Sequence, residues 1–152
     1  QLTGVDGLVP DPGYAGSGVH VTTRGGLLKL HADFNFHPTL AMRRRVNTFL
    51  FLNPAWPDEY GGHLELWDAS MLACRQRILP RTGRWVVFST TDFSYHGHPH
   101  PLSAPTERAR RSLALYYYTR NCPREECADR DCSRRVKTEW RDPAVGAMMC
   151  TA

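Results

Sequence analysis

Seven histidines occur in this chain, and two features set some of them apart. The first is His31-Ala32-Asp33, directly after the apolar run at 27–30. In an extended strand, residues i and i+2 project to the same side, so an imidazole and a carboxylate can reach one ion together. Alone, this tripeptide is common. The second is His96, far downstream and just past the apolar run at 84–89. Two imidazoles and one carboxylate cover one face of an octahedral ion and leave the remaining positions open. A closed structural zinc site instead wants a fourth protein ligand, usually Cys. The competing reading is that His96, His98 and His100 are loop histidines of a Pro-rich turn.

Arg110 and Ser112 weigh against that plainer reading. They stand at i and i+2 at the head of the strong strand pattern 110–119, so both can point inward. An inward guanidinium without a counter-anion is severely unfavourable, which makes an anionic ligand the expected partner. A planar guanidinium beside a hydroxyl is a good carboxylate grip. A metal with open positions next to a carboxylate clamp points to a keto-acid cosubstrate. Arg111 is the rival clamp, but alternation sends it outward if Arg110 faces in.

These residues need strands to position them, and the punctuation of the chain supplies them. Residues 4–26 are dense in Gly and Pro and read as loop. Short apolar runs follow at 27–30, 46–52, 63–67, 77–79, 84–89 and 112–119, separated by turn signals such as Asn53-Pro54, Gly61-Gly62 and Thr82-Gly83. With no long helical period, they predict a mainly β, antiparallel domain closed as a sandwich or jelly roll. The stretch from Asn121 onward is rich in charge and Cys, with Trp140 as its sole aromatic. It is expected to be a loosely ordered cover that docks through Trp140.

Composition bounds the alternatives. The chain has 152 residues, 41% of them hydrophobic and 22% charged, with a net charge of +4. That describes one globular domain able to bury a proper core, outside the disordered class. The basic excess is mostly arginine, 17 residues, and is spread along the chain, so no nucleic-acid partner is expected. The one tight run, Arg43-Arg44-Arg45, reads as a solvated strand entrance. No apolar run approaches a membrane span, so no membrane partner is expected either. Residues 1–7 lack the pattern of a secretory signal, and a start at Gln1 rather than Met reads as an excised or processed beginning. Nothing fixes the compartment, although the cytoplasm is the default, nor the oligomeric state.

Five cysteines are present, three of them as C-x4-C-x4-C at 122, 127 and 132. This matches zinc spacing poorly, and one disulfide or plain thiols are expected.

At this point the chain resembles the Fe(II)/2-oxoglutarate-dependent dioxygenases, and within them the prolyl 4-hydroxylase-like branch. The resemblance rests on Leu28-Lys29-Leu30-His31-Ala32-Asp33-Phe34-Asn35, Arg45-Val46-Asn47, Phe51-Leu52-Asn53 through Trp56, Gly61-Gly62-His63-Leu64-Glu65-Leu66-Trp67, Ile78-Leu79-Pro80, Tyr95-His96-Gly97 and the Arg110-x-Ser112 strand. It covers about residues 1–120 and stops at the Cys-rich tail. It implies a double-stranded β-helix (jelly roll) with few flanking helices over 1–120, and a tail at 121–152 packing on it. The usual helices before the barrel are missing, which implies a truncated start.

The resemblance further implies that His31, Asp33 and His96 ligate Fe(II). Arg110 would bind the distal carboxylate of 2-oxoglutarate, helped by Ser112 and by Asn47 or Thr48. His98 is the rival for His96, at a position where the family usually carries an apolar residue. Phe51 stands where related prolyl hydroxylases often have a Tyr that reaches that carboxylate. With O2 as the third reactant, the implied chemistry is hydroxylation of a C–H bond coupled to conversion of 2-oxoglutarate to succinate and CO2. Asp33 favours hydroxylation, because halogenating relatives lack this carboxylate. Proline in a peptide is the family-level substrate; a small molecule or free amino acid is the alternative, and a non-catalytic metal-binding β-sandwich is a third reading.

Other residues carry plainer expectations. Trp56 and Trp67 read as packing at strand ends rather than a substrate groove. Gly61-Gly62 reads as a tight turn or bulge. His20, His37 and His63 read as supporting or surface residues, and Asp92 as a group orienting the His96 loop. Substrate choice is expected to lie in loops 8–26, 34–44 and 54–62.

Overall fold

The computed structural model describes residues 2–128 and 132–150. Residue 1 of the expected barrel and residues 129–131 and 151–152 of the expected tail lie outside them. The order is β1 Val9–Pro10, β2 Gly18–Thr22, β3 Leu28–Ala32, β4 Phe36–His37, β5 Met42–Phe51, β6 Leu64–Trp67, β7 Cys74–Ile78, β8 Trp85–Ser89, β9 His96–His98, β10 Arg110–Thr119 and β11 Glu139–Trp140. The only helical turns among the described residues are short 3-10 pieces at Asp58–Tyr60 and Arg124–Glu126.

The strands form two antiparallel sheets that together make the expected jelly roll. The larger is built on β10 and β5, each ten residues long, paired from Ser112↔Phe51 to Thr119↔Arg43. β1 and β2 share the free edge of β10, while β4 and β8 share that of β5. The smaller sheet runs β11-β3-β9-β6-β7. In β10 every second residue from Arg110 through Tyr118 is buried, which is the period a strand over a core must show. Arg110 and Ser112 therefore face in, and Arg111 faces out.

Strands β1, β2, β4, β9 and β11 were not evident as apolar runs. β2 carries Val19 and Val21 outward, 62% and 56% exposed, so its own pattern does not mark an inner face. Trp56 and Trp67 are both buried, each donating its indole N–H, to the Gly61 carbonyl at 3.0 Å and to Glu65 Oε2 at 2.9 Å.

The tail corrects several expectations. It docks through backbone pairing, side chains and Trp140 together: Trp140 stays 54% exposed, with its ring centroid 4.9 Å from that of His31. β11 adds a strand to the edge of β3, with Trp140 opposite His31. The chain then crosses the outer face of the small sheet, where Ala147 packs on Leu30, Ala32, Trp67, Met71 and Tyr95. It ends at the far edge, where the Met148 carbonyl accepts from Cys74 N at 2.9 Å. Two disulfides result, Cys74–Cys150 and Cys127–Cys132, rather than one or none; the Cys122 thiol is free. The crossing brings residues 76 apart in sequence to a Cα separation of 5.0 Å.

One further expectation changes here. Arg44 and Arg45 are buried, not solvated, because partners from distant segments meet each of them. Arg45 donates from Nε and Nη2 to the Glu126 carboxylate, each at 3.1 Å, pinning the tail to β5. Asp92, in the loop that leads to His96, accepts from Asn35 Nδ2 at 2.7 Å and from Ala128 N at 2.8 Å, tying that loop and the tail to the turn after β3.

Candidate functional site

His31 and His96 lie directly opposite each other on β3 and β9, their ring centroids 4.5 Å apart. Asp33 follows just past the end of β3. His31 Nε2 is 3.6 Å from Asp33 Oδ1, and His96 Nε2 is 3.4 Å from Asp33 Oδ2. One ligand atom from each of the three residues falls within 4.8 Å of the others, and all three residues are buried.

The tautomers follow from the hydrogen bonds. His31 Nδ1 is 2.8 Å from the Lys29 carbonyl and His96 Nδ1 is 2.9 Å from the Ser94 carbonyl. A carbonyl can only accept, so each Nδ1 carries the proton and each Nε2 lone pair is left for the centre. Burial pushes the His96 pKa down to about 4, which keeps that ring neutral at physiological pH.

Asp33 is held as the anion. Burial alone would raise its pKa, but Arg44, His96 and His31 outweigh that and hold the carboxyl well below the usual range. Its Oδ2 accepts from Asn47 Nδ2 at 2.7 Å and lies 3.0 Å from Arg44 Nη2. Arg44 Nε donates to Asn47 Oδ1 at 2.8 Å, and the Arg44 guanidinium stacks 3.4 Å above the Tyr116 ring. Sequence reasoning missed Arg44, since nothing local distinguishes it from Arg43. Asn47, expected near the cosubstrate, sits instead on the Asp33 carboxylate. Two imidazoles that turn Nε2 toward the centre and one fixed carboxylate suit a non-haem Fe(II) ion.

Arg110 and Ser112 line the same cavity as the three donors, with Phe49 and His98 among the other walls. Arg110 is buried, yet no described carboxylate pairs with it. Its Nε donates to the Gly62 carbonyl at 2.7 Å, its guanidinium lies 5.1 Å from the Phe51 ring centre, and burial lowers its pKa to about 10. Gly62 has φ +72°, and a Cβ there would meet Arg110 Cδ at 2.9 Å as well as Leu102 Cδ2. Gly62 is thus required both by its backbone angle and by the close approach of Arg110. The Gly61-Gly62 pair had read only as a turn.

The remaining histidines fall elsewhere. His63 pairs with Asp58 at 2.9 Å and His37 with Asp11 at 3.5 Å. His20 is at the cavity mouth, 3.2 Å from the Gly16 carbonyl. His98 shares the cavity but is not among the three converging donors. Thr48 Oγ1 lies 3.5 Å from the Leu115 carbonyl and outside the cavity lining.

Comparison with known proteins agrees with this geometry. The sequence model of the 2OG-Fe(II) oxygenase superfamily matches residues 17–118. Among solved structures, a prolyl-4-hydroxylase from Pseudomonas putida is similar at 22% identity and TM-score 0.50, over 66% of this chain and 46% of that one. A prolyl hydroxylase from Trichoplax adhaerens, solved with a hypoxia inducible factor oxygen degradation domain peptide fragment, is similar at 23% identity and TM-score 0.50, over 66% of this chain and 41% of that one. The chain thus spans less than half the length of either structure, and the likeness is one of fold. No curated protein matches it. The superfamily match takes in both the strand that ends at the His31-x-Asp33 pair and the strand that opens with Arg110, and it covers most of the chain; the chain belongs to the 2OG-Fe(II) oxygenase superfamily, oxygenases that work with Fe(II), 2-oxoglutarate and O2.

Proposed function

We propose that this chain is the oxygenase domain of an Fe(II)- and 2-oxoglutarate-dependent hydroxylase acting on a peptidyl residue such as proline. His31, Asp33 and His96 hold the metal, and Arg110 with Ser112 grips the distal carboxylate of 2-oxoglutarate. The domain is residues 1–120, with 121–152 as a tail on it whose described part from β11 onward crosses the small sheet. One observation carries the reading: a three-donor set with its lone pairs free and a buried guanidinium without a carboxylate partner share one cavity. Each lacks what the other ligand would bring.

When bound, Fe(II) with 2-oxoglutarate supplies O2 activation for C–H hydroxylation, the cosubstrate leaving as succinate and CO2. The chain's own part is to aim both Nε2 atoms at the centre and to fix the Asp33 carboxylate through Arg44 and Asn47. Arg110, anchored by Gly62, orients the cosubstrate, and the buried walls exclude water. A peptide is favoured over a free small molecule by the fold likeness to two prolyl hydroxylases, one of them solved with a peptide.

Anaerobic titration of the purified chain with Fe(II) and 2-oxoglutarate tests the centre through the visible charge-transfer band of the chelate. The band is expected in wild type and lost on His31→Ala. A folded, iron-loaded protein without the band defeats the reading. Succinate release with proline-containing peptides, compared with free amino acids, then decides the substrate class.

A further inference from the structure

His98 is 4% exposed and stands two residues after His96, on the same side of β9. It faces the cavity that Arg110 and Ser112 line. Buried imidazole nitrogens are ordinarily hydrogen-bonded, yet His98 Nδ1 has no partner among the described residues. The metal-ready donors are complete without it. Arg110 lies close enough for its charge to bear on His98. A buried polar atom beside a buried cation, neither of them matched by a described carboxylate, asks for the same ligand: an anion with several acceptor sites.

A carboxylate offers about four lone-pair sites. The outer nitrogens of Arg110 fill about two, since its Nε is committed to Gly62, and the Ser112 hydroxyl fills about one. Phe51, which the guanidinium overlies, has no polar atom to give. We infer that His98 is the third side chain to bind the distal carboxylate of the keto-acid cosubstrate, donating one ring N–H beside Arg110 and Ser112. This rests on the function proposed above and deepens it: His98 becomes a determinant of the preference for a dicarboxylic over a monocarboxylic keto acid.

The test is equilibrium binding of 2-oxoglutarate and of 2-oxobutyrate, which lacks the distal carboxylate, to the anaerobic Fe(II)-loaded chain, followed by the charge-transfer band and by calorimetry. His98→Leu is expected to weaken 2-oxoglutarate binding about tenfold, as loss of one hydrogen bond to a charged group does, while leaving 2-oxobutyrate and Fe(II) affinity unchanged. His98→Gln, which keeps a donor, is expected to stay within about threefold of wild type. Unchanged 2-oxoglutarate binding in His98→Leu overturns the inference, as does equal weakening of both keto acids, which would mark a merely structural residue. If wild type binds Fe(II) but neither keto acid, the proposed function fails and takes this inference with it; that outcome differs from wild-type binding that ignores His98. Should His98→Leu not fold, His98→Phe carries the test in its place: weakened 2-oxoglutarate binding with 2-oxobutyrate unchanged supports the inference, and unchanged binding of both overturns it.

Discussion

The two ends of the cavity are built on opposite electrostatic plans. At the end that carries the three converging donors, Asp33 is held by Arg44 and Asn47, and both imidazoles are anchored through Nδ1 to backbone carbonyls. At the other end Arg110 is buried with a single carbonyl contact, and His98 leaves Nδ1 unsatisfied. One end is finished as a rigid ligand set; the other is left in deficit until an anion arrives. On the proposed function, rigidity would serve a metal, whose affinity depends on ligands held in place, and deficit would serve a consumable cosubstrate that must enter and leave on each turnover.

The largest expected effects come from separating the two ends. His31→Ala, Asp33→Ala and His96→Ala should each abolish the charge-transfer band and turnover, with a folded protein remaining by circular dichroism. Arg110→Ala should leave Fe(II) binding intact and raise the 2-oxoglutarate requirement about a hundredfold, the scale of losing a bidentate contact to a charged group. If Arg111→Ala does this instead, the assignment of the clamp is wrong. If Arg110→Ala weakens metal and cosubstrate equally, the ends are not independent.

Next in size is the support behind Asp33. Arg44→Met strands a buried carboxylate and should destabilise the fold by about 3–5 kcal/mol in urea unfolding. Asn47→Ala removes only a hydrogen-bond partner of a metal ligand and should weaken Fe(II) about 10–100-fold with a small stability change. An Asn47→Ala variant whose deficit lies in 2-oxoglutarate would return Asn47 to the cosubstrate end.

The candidate site was only half legible in sequence. His31-x-Asp33 and Arg110-x-Ser112 could be read because strand alternation puts i and i+2 on one face. Arg44 could not, because Asp33, the carboxylate that makes it a buried partner, meets it only once β3 and β5 lie in facing sheets. Arg45 was hidden in the same way by Glu126 from the tail. Strands β4, β9 and β11 have two or three residues each and exist through their cross-strand partners, so no apolar period marks them. The Cys74–Cys150 pairing depends on where the tail ends after crossing a sheet, which cysteine spacing does not encode.

Gly62→Ala should have a more local effect. The added Cβ meets Arg110 Cδ at 2.9 Å and the backbone holds φ +72°, so Arg110 must shift. The expected result is about a tenfold rise in the 2-oxoglutarate requirement, the scale of disturbing one charged hydrogen bond, at unchanged Fe(II) affinity. An unaltered cosubstrate affinity would show that the Gly62 anchor does not set the clamp.

The smallest effect is the acid limb of stability in the metal-free protein, and it places one imidazole at each end. Burial lowers His96 to about 4, and burial with the nearby Arg110 charge lowers His98 to about 3. Both titrate near 6.5 when unfolded, so below that pH the unfolded chain binds more protons than the folded one. Stability is therefore full above about 6.5 and falls as pH drops toward 4 for His96 and toward 3 for His98. Arg110 keeps its charge until about 10 and contributes nothing to this limb. The lowered carboxyl groups, Asp11 and Asp33 among them, act only below their unfolded value of 3.8. In chelator-treated protein, His98→Leu should flatten the loss of stability between pH 6.5 and 4.5, with His96 and the likewise lowered His63 supplying what remains. Wild type and variant with the same slope would mean that His98 meets a proton acceptor in solution, and the deficit at the Arg110 end would then be that of the guanidinium alone.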